Sequence, residues 1–285
     1  MASQKTDVIE WIFNQRFDPA TRTVSDPVVT MDHIVEGIVQ TKSNLSQKNA
    51  ANFWKDLTRT GKKGLDANWP KPVANLGFGG TDGIGRGGQF VFVPVPVGHS
   101  APDYDFAAYD PSLPSTQLQS LSMPLAMRSL GRPSENWQSQ VAARLDVVAS
   151  YFAFHSPRNV RPRSVEEVNF LQTGVKVGGT GEIDATFSLI AHDGQWLVSA
   201  EVKGRSEQFY LPQIKRAAIK LGEMARSGKS PALAGIAGVI PLGIKVVAKS
   251  TLWVVEFEPV VDAKLPLTKA AEGVFRLVPH VPGIQ

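Results

Sequence analysis

Glu201-Val202-Lys203 sets an acid and a base two positions apart, and Asp184 stands 17 residues before Glu201. In an extended strand side chains alternate, so Glu201 and Lys203 share one face with Ser199, while Val198, Ala200 and Val202 take the other. The intervening His192-Asp193-Gly194 is a turn signal, and folding there returns residues 196–203 alongside Asp184. Two carboxylates converging on such a hairpin can hold Mg²⁺ through hard oxygen ligands, and that ion can polarise a phosphate and acidify a bound water. Lys203 would orient the water or stabilise developing negative charge. The competing reading is a surface ion-pair ladder, worth about 0.2–1 kcal/mol per pair.

The elements that must position these residues follow from periodicity. Residues 174–190 and 196–203 read as two strands, and residues 211–226 as an amphipathic helix. In that helix Ile214, Ala217, Ala218, Leu221 and Ala225 form the stripe and Pro212 suits the first turn. A helix capped by Ser134 is expected over 134–154, from Trp137, Val141, Leu145, Val148 and Phe152. Residues 7–59 are largely helical in pattern. Residues 61–124 are rich in glycine and proline and are interrupted at 89–97 by a segment that reads as an edge strand, because its prolines donate nothing to a ladder. Residues 233–240 and 252–257 read as buried strands, and 259–285 as irregular.

Gly181-Glu182-Ile183-Asp184 followed by Glu201-Val202-Lys203-Gly204 resembles the active-site motif of the PD-(D/E)XK nuclease superfamily, with Ile183 where the family pattern has proline. The resemblance covers roughly residues 165–257. Within the superfamily the chain is most similar to type II restriction endonucleases, in size, in its helical N-terminal part, and in the stretch from Asn49-Ala50-Ala51-Asn52-Phe53-Trp54-Lys55-Asp56 to Asn68-Trp69-Pro70. The resemblance implies an α/β fold, a restriction-endonuclease-like core with a central mixed β-sheet flanked by helices, plus a mainly helical N-terminal extension. It implies Asp184 and Glu201 as Mg²⁺ ligands and Glu167 as a further ligand, with Glu166 and Glu182 as rivals for that place. Lys203 and Gln213, the latter at the start of the helix after the motif, complete the implied catalytic set. Double-stranded DNA as substrate, a homodimer, and a cognate DNA methyltransferase as genetic partner are implied with it.

The expected division is a helical and loop-rich recognition region over 1–130, the nuclease core over 131–260, and an irregular segment over 261–285. From Glu201 to Lys229 seven basic residues face three acidic ones, an excess that can contact phosphates without reading sequence. Arg205, Lys215 and Arg216 in that stretch, with Asn52, Lys55, Arg59 and Arg86, are the candidate DNA contacts. Residues 83–88 contain a formal GxGxxG pattern, but it leads into a strand-like segment instead of a helix, which argues against dinucleotide binding.

The absence of cysteine excludes disulfides, thiolate zinc sites and cysteine nucleophiles, and the five histidines lack zinc spacings. No run of about 18 apolar residues appears, so no membrane span is expected, and the N-terminus lacks the form of a secretory signal, which implies the cytoplasm. Two alternatives stay open: a structure-specific repair or junction nuclease, and a non-catalytic DNA-binding protein.

Overall fold

The computed structural model describes residues 4–58, 62–83, 88–102, 106–159, 164–177, 181–228, 233, 235–260 and 265–285, with the backbone alone at 49, 51, 62–64, 177 and 181. The chain divides into two compact units. One is residues 1–107 with 210–212 and 263–266, the other 108–209, 213–262 and 267–285. The boundary differs from the expected 130, and residues 267–285 belong to the second unit.

The first unit opens with α1 (Gln4–Asn14), whose Val8, Ile9, Ile12 and Phe13 form one buried stripe. A short hairpin, β1 (Phe17–Asp18) with β2 (Thr23–Val24), and β3 (Val28–Val29) lead into α2 (Met31–Gln40). Thr30 caps that helix: its Oγ accepts from the His33 N–H, and the His33 ring accepts from the Thr30 N–H. A 3-10 turn (Gln47–Asn52) follows, then α3 (Phe53–Thr58), α4 (Lys62–Asn68) and α5 (Lys71–Asn75).

Strands β4 (Phe78–Asp82) and β5 (Phe90–Pro94) complete a three-stranded sheet ordered β3-β5-β4, and β6 (Phe106–Ala107) ends the unit. At Phe90 and Val91, flanked by β3 and β4, the 89–97 segment is therefore central and not an edge. Its Pro94 lies at the strand's last position, opposite Phe78, where a missing donor costs the ladder nothing internal. The core is aromatic: Trp54 stacks on Phe90 with centroids 4.9 Å apart, and Trp69 meets both Phe90 and Phe92 edge-on.

The second unit is an α/β layer structure. Its remaining elements are β7 (Ser115–Gln119), α6 (Leu125–Ser129), α7 (Glu135–Arg144), α8 (Val147–Phe154), β8 (Val165–Val177), β9 (Gly181–Ala191), β10 (Gly194–Lys203), β11 (Phe209–Tyr210), α9 (Leu211–Arg226), β12 (Gly238–Ala248), β13 (Thr251–Phe257) and β14 (Lys269–Val278). A seven-stranded mixed sheet has the order β7-β14-β13-β12-β10-β9-β8, with β10/β12 and β14/β7 parallel and the rest antiparallel. Parallel pairing of β10 with β12 requires a crossover, and α9 supplies it.

On one face α7 and α8 bury Trp137, Val141, Tyr151 and Phe152 against Val198, Ala200, Val202 and Leu242. On the other, α9 lays Ala217, Ala218 and Leu221 on Leu197, Val239 and Ile183. Three sequence expectations change. The helix over 134–154 breaks in two at Asp146, whose φ of 50° leaves the helical region. Residues 174–190 divide between β8 and β9. The C-terminal segment expected to be irregular contains β14, which reads as a strand only once β13 and β7 flank it. Among the described residues no helix is long and apolar enough to cross a membrane.

Candidate active site

Strand β10 is the centre of the site because it lies between β9 and β12 and has helices over both faces. Its Val198, Ala200 and Val202 feed the α7/α8 core. The opposite set, Ser199, Glu201 and Lys203, is polar and yet buried, with Glu201 3% and Lys203 7% exposed. Burying such groups costs several kcal/mol per ion unless they are paired, so their placement in a central strand needs a chemical reason.

Pairing is what the structure provides. Lys203 Nζ lies 2.7 Å from Glu201 Oε1 and 2.6 Å from Glu135 Oε1. Gln213, on the first turn of α9, donates its Nε2 hydrogen to the same Glu201 Oε1. The β9–β10 ladder runs to Ala185 opposite Ala200. One position further Asp184 Oδ2 accepts the Val202 N–H at 2.7 Å, a side chain taking the donor where the ladder ends. Asp184, Glu201, Lys203 and Gln213, expected together from sequence, thus meet at the end of the β9–β10 hairpin.

The electrostatics are those of crowded, desolvated charge. Burial pushes the Asp184 carboxyl up to about 8, and the neighbouring Glu201 adds to the effect against the pull of Lys203 and the Val202 N–H. Burial likewise raises Glu201, with Lys203 and Arg216 opposing. Burial works to lower Lys203, but Glu201, Asp184 and Glu135 outweigh it and hold the ammonium well above its ordinary value. Fully ionised, Asp184, Glu201 and Glu135 outnumber Lys203, a crowding that protons or an added cation relieve.

The donor set fits Mg²⁺. Glu201 Oε2 is buried with no hydrogen-bond partner among the described residues, and a hard oxygen without a donor is what such an ion takes. Among the described residues no three Asp, Glu or His side chains form a ready-made cage. Asp184 and Glu201 are the residues that would hold such an ion. A cleft of about 230 Å³ opens onto Asp184, lined also by Glu135, Asn136, Ser139, Thr173, Gly174 and Glu182.

The acid that sequence reasoning missed is Glu135. It is 68 residues from Lys203, and its one local signal was position: the first residue after the cap Ser134, where a carboxylate suits the helix dipole. Glu167, the expected further ligand, is not brought to the site. It pairs with Ile190 on β9, six residues and about 20 Å along the strand from Asp184. Glu166 lies beside it at that end. Glu182, its other rival, is exposed and lines the cleft.

Of the basic candidates, Arg205 is exposed after β10, while Lys215 and Arg216 are half-buried on α9. Asn52 and Lys55 are exposed in the first unit. Arg59 and Arg86, with the glycine-rich loop at 84–87, lie outside the described residues. The chain was compared with models of protein families, with curated proteins and with solved structures, and none matches it.

Proposed function

We propose that this chain is a Mg²⁺-dependent type II restriction endonuclease that hydrolyses phosphodiester bonds within specific double-stranded DNA sequences. The observation that carries the reading is the buried Glu201–Lys203 pair on a central strand, joined there by Asp184 and Gln213. A structural ion pair needs no such burial at the end of a central strand, whereas perturbed carboxylates beside a lysine and a cleft mark a candidate site for chemistry.

Asp184 and Glu201 would hold the ion. When bound, Mg²⁺ supplies Lewis acidity toward a phosphoryl oxygen and a more acidic water. Gln213 fixes the Glu201 carboxylate by occupying Oε1 and leaves Oε2 free to bind. Lys203, always protonated at neutral pH, directs its ammonium toward the phosphate and stabilises the charge that builds as water adds to phosphorus and one ester P–O bond breaks. Arg205, Lys215 and Arg216 supply positive potential for the DNA backbone, and Asn52 and Lys55 are retained as recognition contacts. A homodimer, a cognate methyltransferase and a cytoplasmic setting belong to the same reading.

The test is incubation of purified protein with unmethylated phage DNA, with and without Mg²⁺, beside Asp184→Ala and Lys203→Ala. Discrete Mg²⁺-dependent fragments, absent with both variants, support the reading. Nicking confined to branched or damaged DNA would transfer the site to a structure-specific repair or junction nuclease, and DNA binding without cleavage under any condition would defeat the catalytic reading.

A further inference from the structure

The seven-stranded sheet ends on one side at β8, a 13-residue strand that, among the described residues, pairs only with β9. An open edge of that length, about 43 Å, offers a row of backbone donors and acceptors to another strand. Its middle is apolar and solvent-facing: Phe170 is 43% and Leu171 49% exposed. The register shift between Phe170 and Gln172 leaves Leu171 with no opposite residue on β9, so a bulge presents an extra apolar side chain at the edge. The ends carry opposite charge, Glu166 and Glu167 at one and Lys176 at the other.

We propose that β8 is a self-pairing edge on which a second copy of this chain docks antiparallel, about a two-fold axis at Leu171. In that register Glu166 stands opposite Lys176 of the partner subunit, and Lys176 opposite the partner's Glu166. Phe170 sits diagonal to the partner's Phe170, at the roughly 7–8 Å that aromatic side chains bridge. The pair extends across the axis the aromatic layer that Phe170 already makes with Phe187, centroids 5.5 Å apart. A parallel partner would set Glu166 and Glu167 against their own copies, which repels. Charges and a bulge blunt an edge against strands in general. Arranged with acids at one end and lysine at the other, they admit this one partner. The contact is isologous and closes at two copies.

The pairing gives a surface to the homodimer of the proposed reading and rests on that part of it alone, and it bears on the same cleft. Thr173 and Gly174 of β8 line that cleft, and Asp184 lies one strand inward, level with Gly174 between the pairs Thr173–Ala185 and Val175–Ile183. The two-fold would place the two Asp184 residues about 25 Å apart, by strand rise and spacing.

The experiment needs neither DNA nor metal. Sedimentation equilibrium is run on the wild-type chain and on Leu171→Lys, with circular dichroism to confirm that the exposed substitution leaves the fold intact. Because the chain has no cysteine, Leu171→Cys provides a single thiol for oxidative cross-linking, and Glu223→Cys on exposed α9 is the control. The expected result is a wild-type dimer, a twofold fall in mass for Leu171→Lys, and cross-linking at 171 but not at 223. A monomeric wild type, or a dimer that Leu171→Lys leaves intact, overturns the proposal, while the Mg²⁺-dependent cleavage assay tests the catalytic reading separately.

Discussion

Glu135 Oε1 lies 2.6 Å from Lys203 Nζ, across 68 residues of chain. The contact carries a helix N-terminus to the buried end of β10 and gives the lysine two carboxylate partners instead of one. Glu135 is thereby a positioning residue for Lys203, holding the ammonium between two fixed oxygens.

Glu135→Gln keeps the size of the side chain and removes the charge that holds Lys203. A group displaced by about 1 Å costs on the order of 100-fold in rate, so cleavage by Glu135→Gln is expected to fall about 10- to 100-fold. Mg²⁺ dependence should change little, because Asp184 and Glu201 remain. Initial rates on a plasmid across a Mg²⁺ titration check both halves of the expectation.

Lys203→Met leaves Glu201 buried without its cation. Breaking one half of a buried pair costs about 3–5 kcal/mol, which urea denaturation at neutral pH will read directly. The double change Glu201→Gln with Lys203→Met removes both charges and should recover most of that loss while remaining inactive. If the double variant is no more stable than Lys203→Met alone, the ion pair is not the source of the loss.

The raised carboxyl of Asp184 makes metal-free stability depend on pH. Between the ordinary carboxylate range and about 8 the native state binds more protons than the unfolded chain, so stability falls as pH rises through that window. Glu201, shifted in the same direction, adds to the slope. Melting temperatures in a chelating buffer should decline from pH 5 to pH 8, both pH values being about the limits of the window. Asp184→Asn should flatten the decline, and added Mg²⁺ should stabilise the wild type most at the alkaline end.

A second buried acid tests the fold away from the site. Arg158 Nε lies 3.3 Å from Glu256 Oε1, its guanidinium is 4.2 Å from the Trp196 ring centroid, and Glu256 is fully buried. Arg158→Met removes that carboxylate's cation, leaving the Ser156 and Tyr151 hydroxyls beside it, and is expected to cost up to about 3 kcal/mol. Glu256→Gln in the same background should return part of it. Chemical denaturation of the single and double variants measures the coupling.

In the first unit, Gly80 sits where a Cβ would come within 2.6 Å of the Trp69 ring and 2.9 Å of Trp54. Gly80→Ala forces those rings off their positions at about 1–3 kcal/mol. A lower denaturation midpoint with an altered tryptophan fluorescence spectrum is the expected result.

Local pattern was enough to bring the polar groups of β10 together. Alternation places Glu201 and Lys203 on one face, the Asp193-Gly194 turn returns Asp184 beside them, and the 3.6-residue stripe of α9 puts Gln213 at its first turn. Each of these relations spans fewer than about 30 residues and depends on strand or helix geometry alone. The pattern failed where a neighbour decides the outcome. Asp146 breaks a stripe that reads as continuous. The prolines of 89–97 read as an edge signal, yet β3 and β4 take both sides of β5 at Phe90 and Val91, and the C-terminal segment lacks a strand signature until β13 and β7 flank it.

The third acid divides the two kinds of information most sharply. Sequence proximity favoured Glu166 and Glu167, which precede the strand expected over 174–190, yet extended β8 carries them about 20 Å from Asp184 because a strand advances about 3.3 Å per residue. Glu135 arrives from a helix whose packing on the sheet is set by Trp137 and Val141, side chains that say nothing about carboxylates. Residue type and spacing alone showed which polar groups could act together and which pairs share a strand or a turn. Only the tertiary structure, through the burial of helix faces on a seven-stranded sheet, decided which distant acid meets the lysine, because packing is indifferent to separation along the chain.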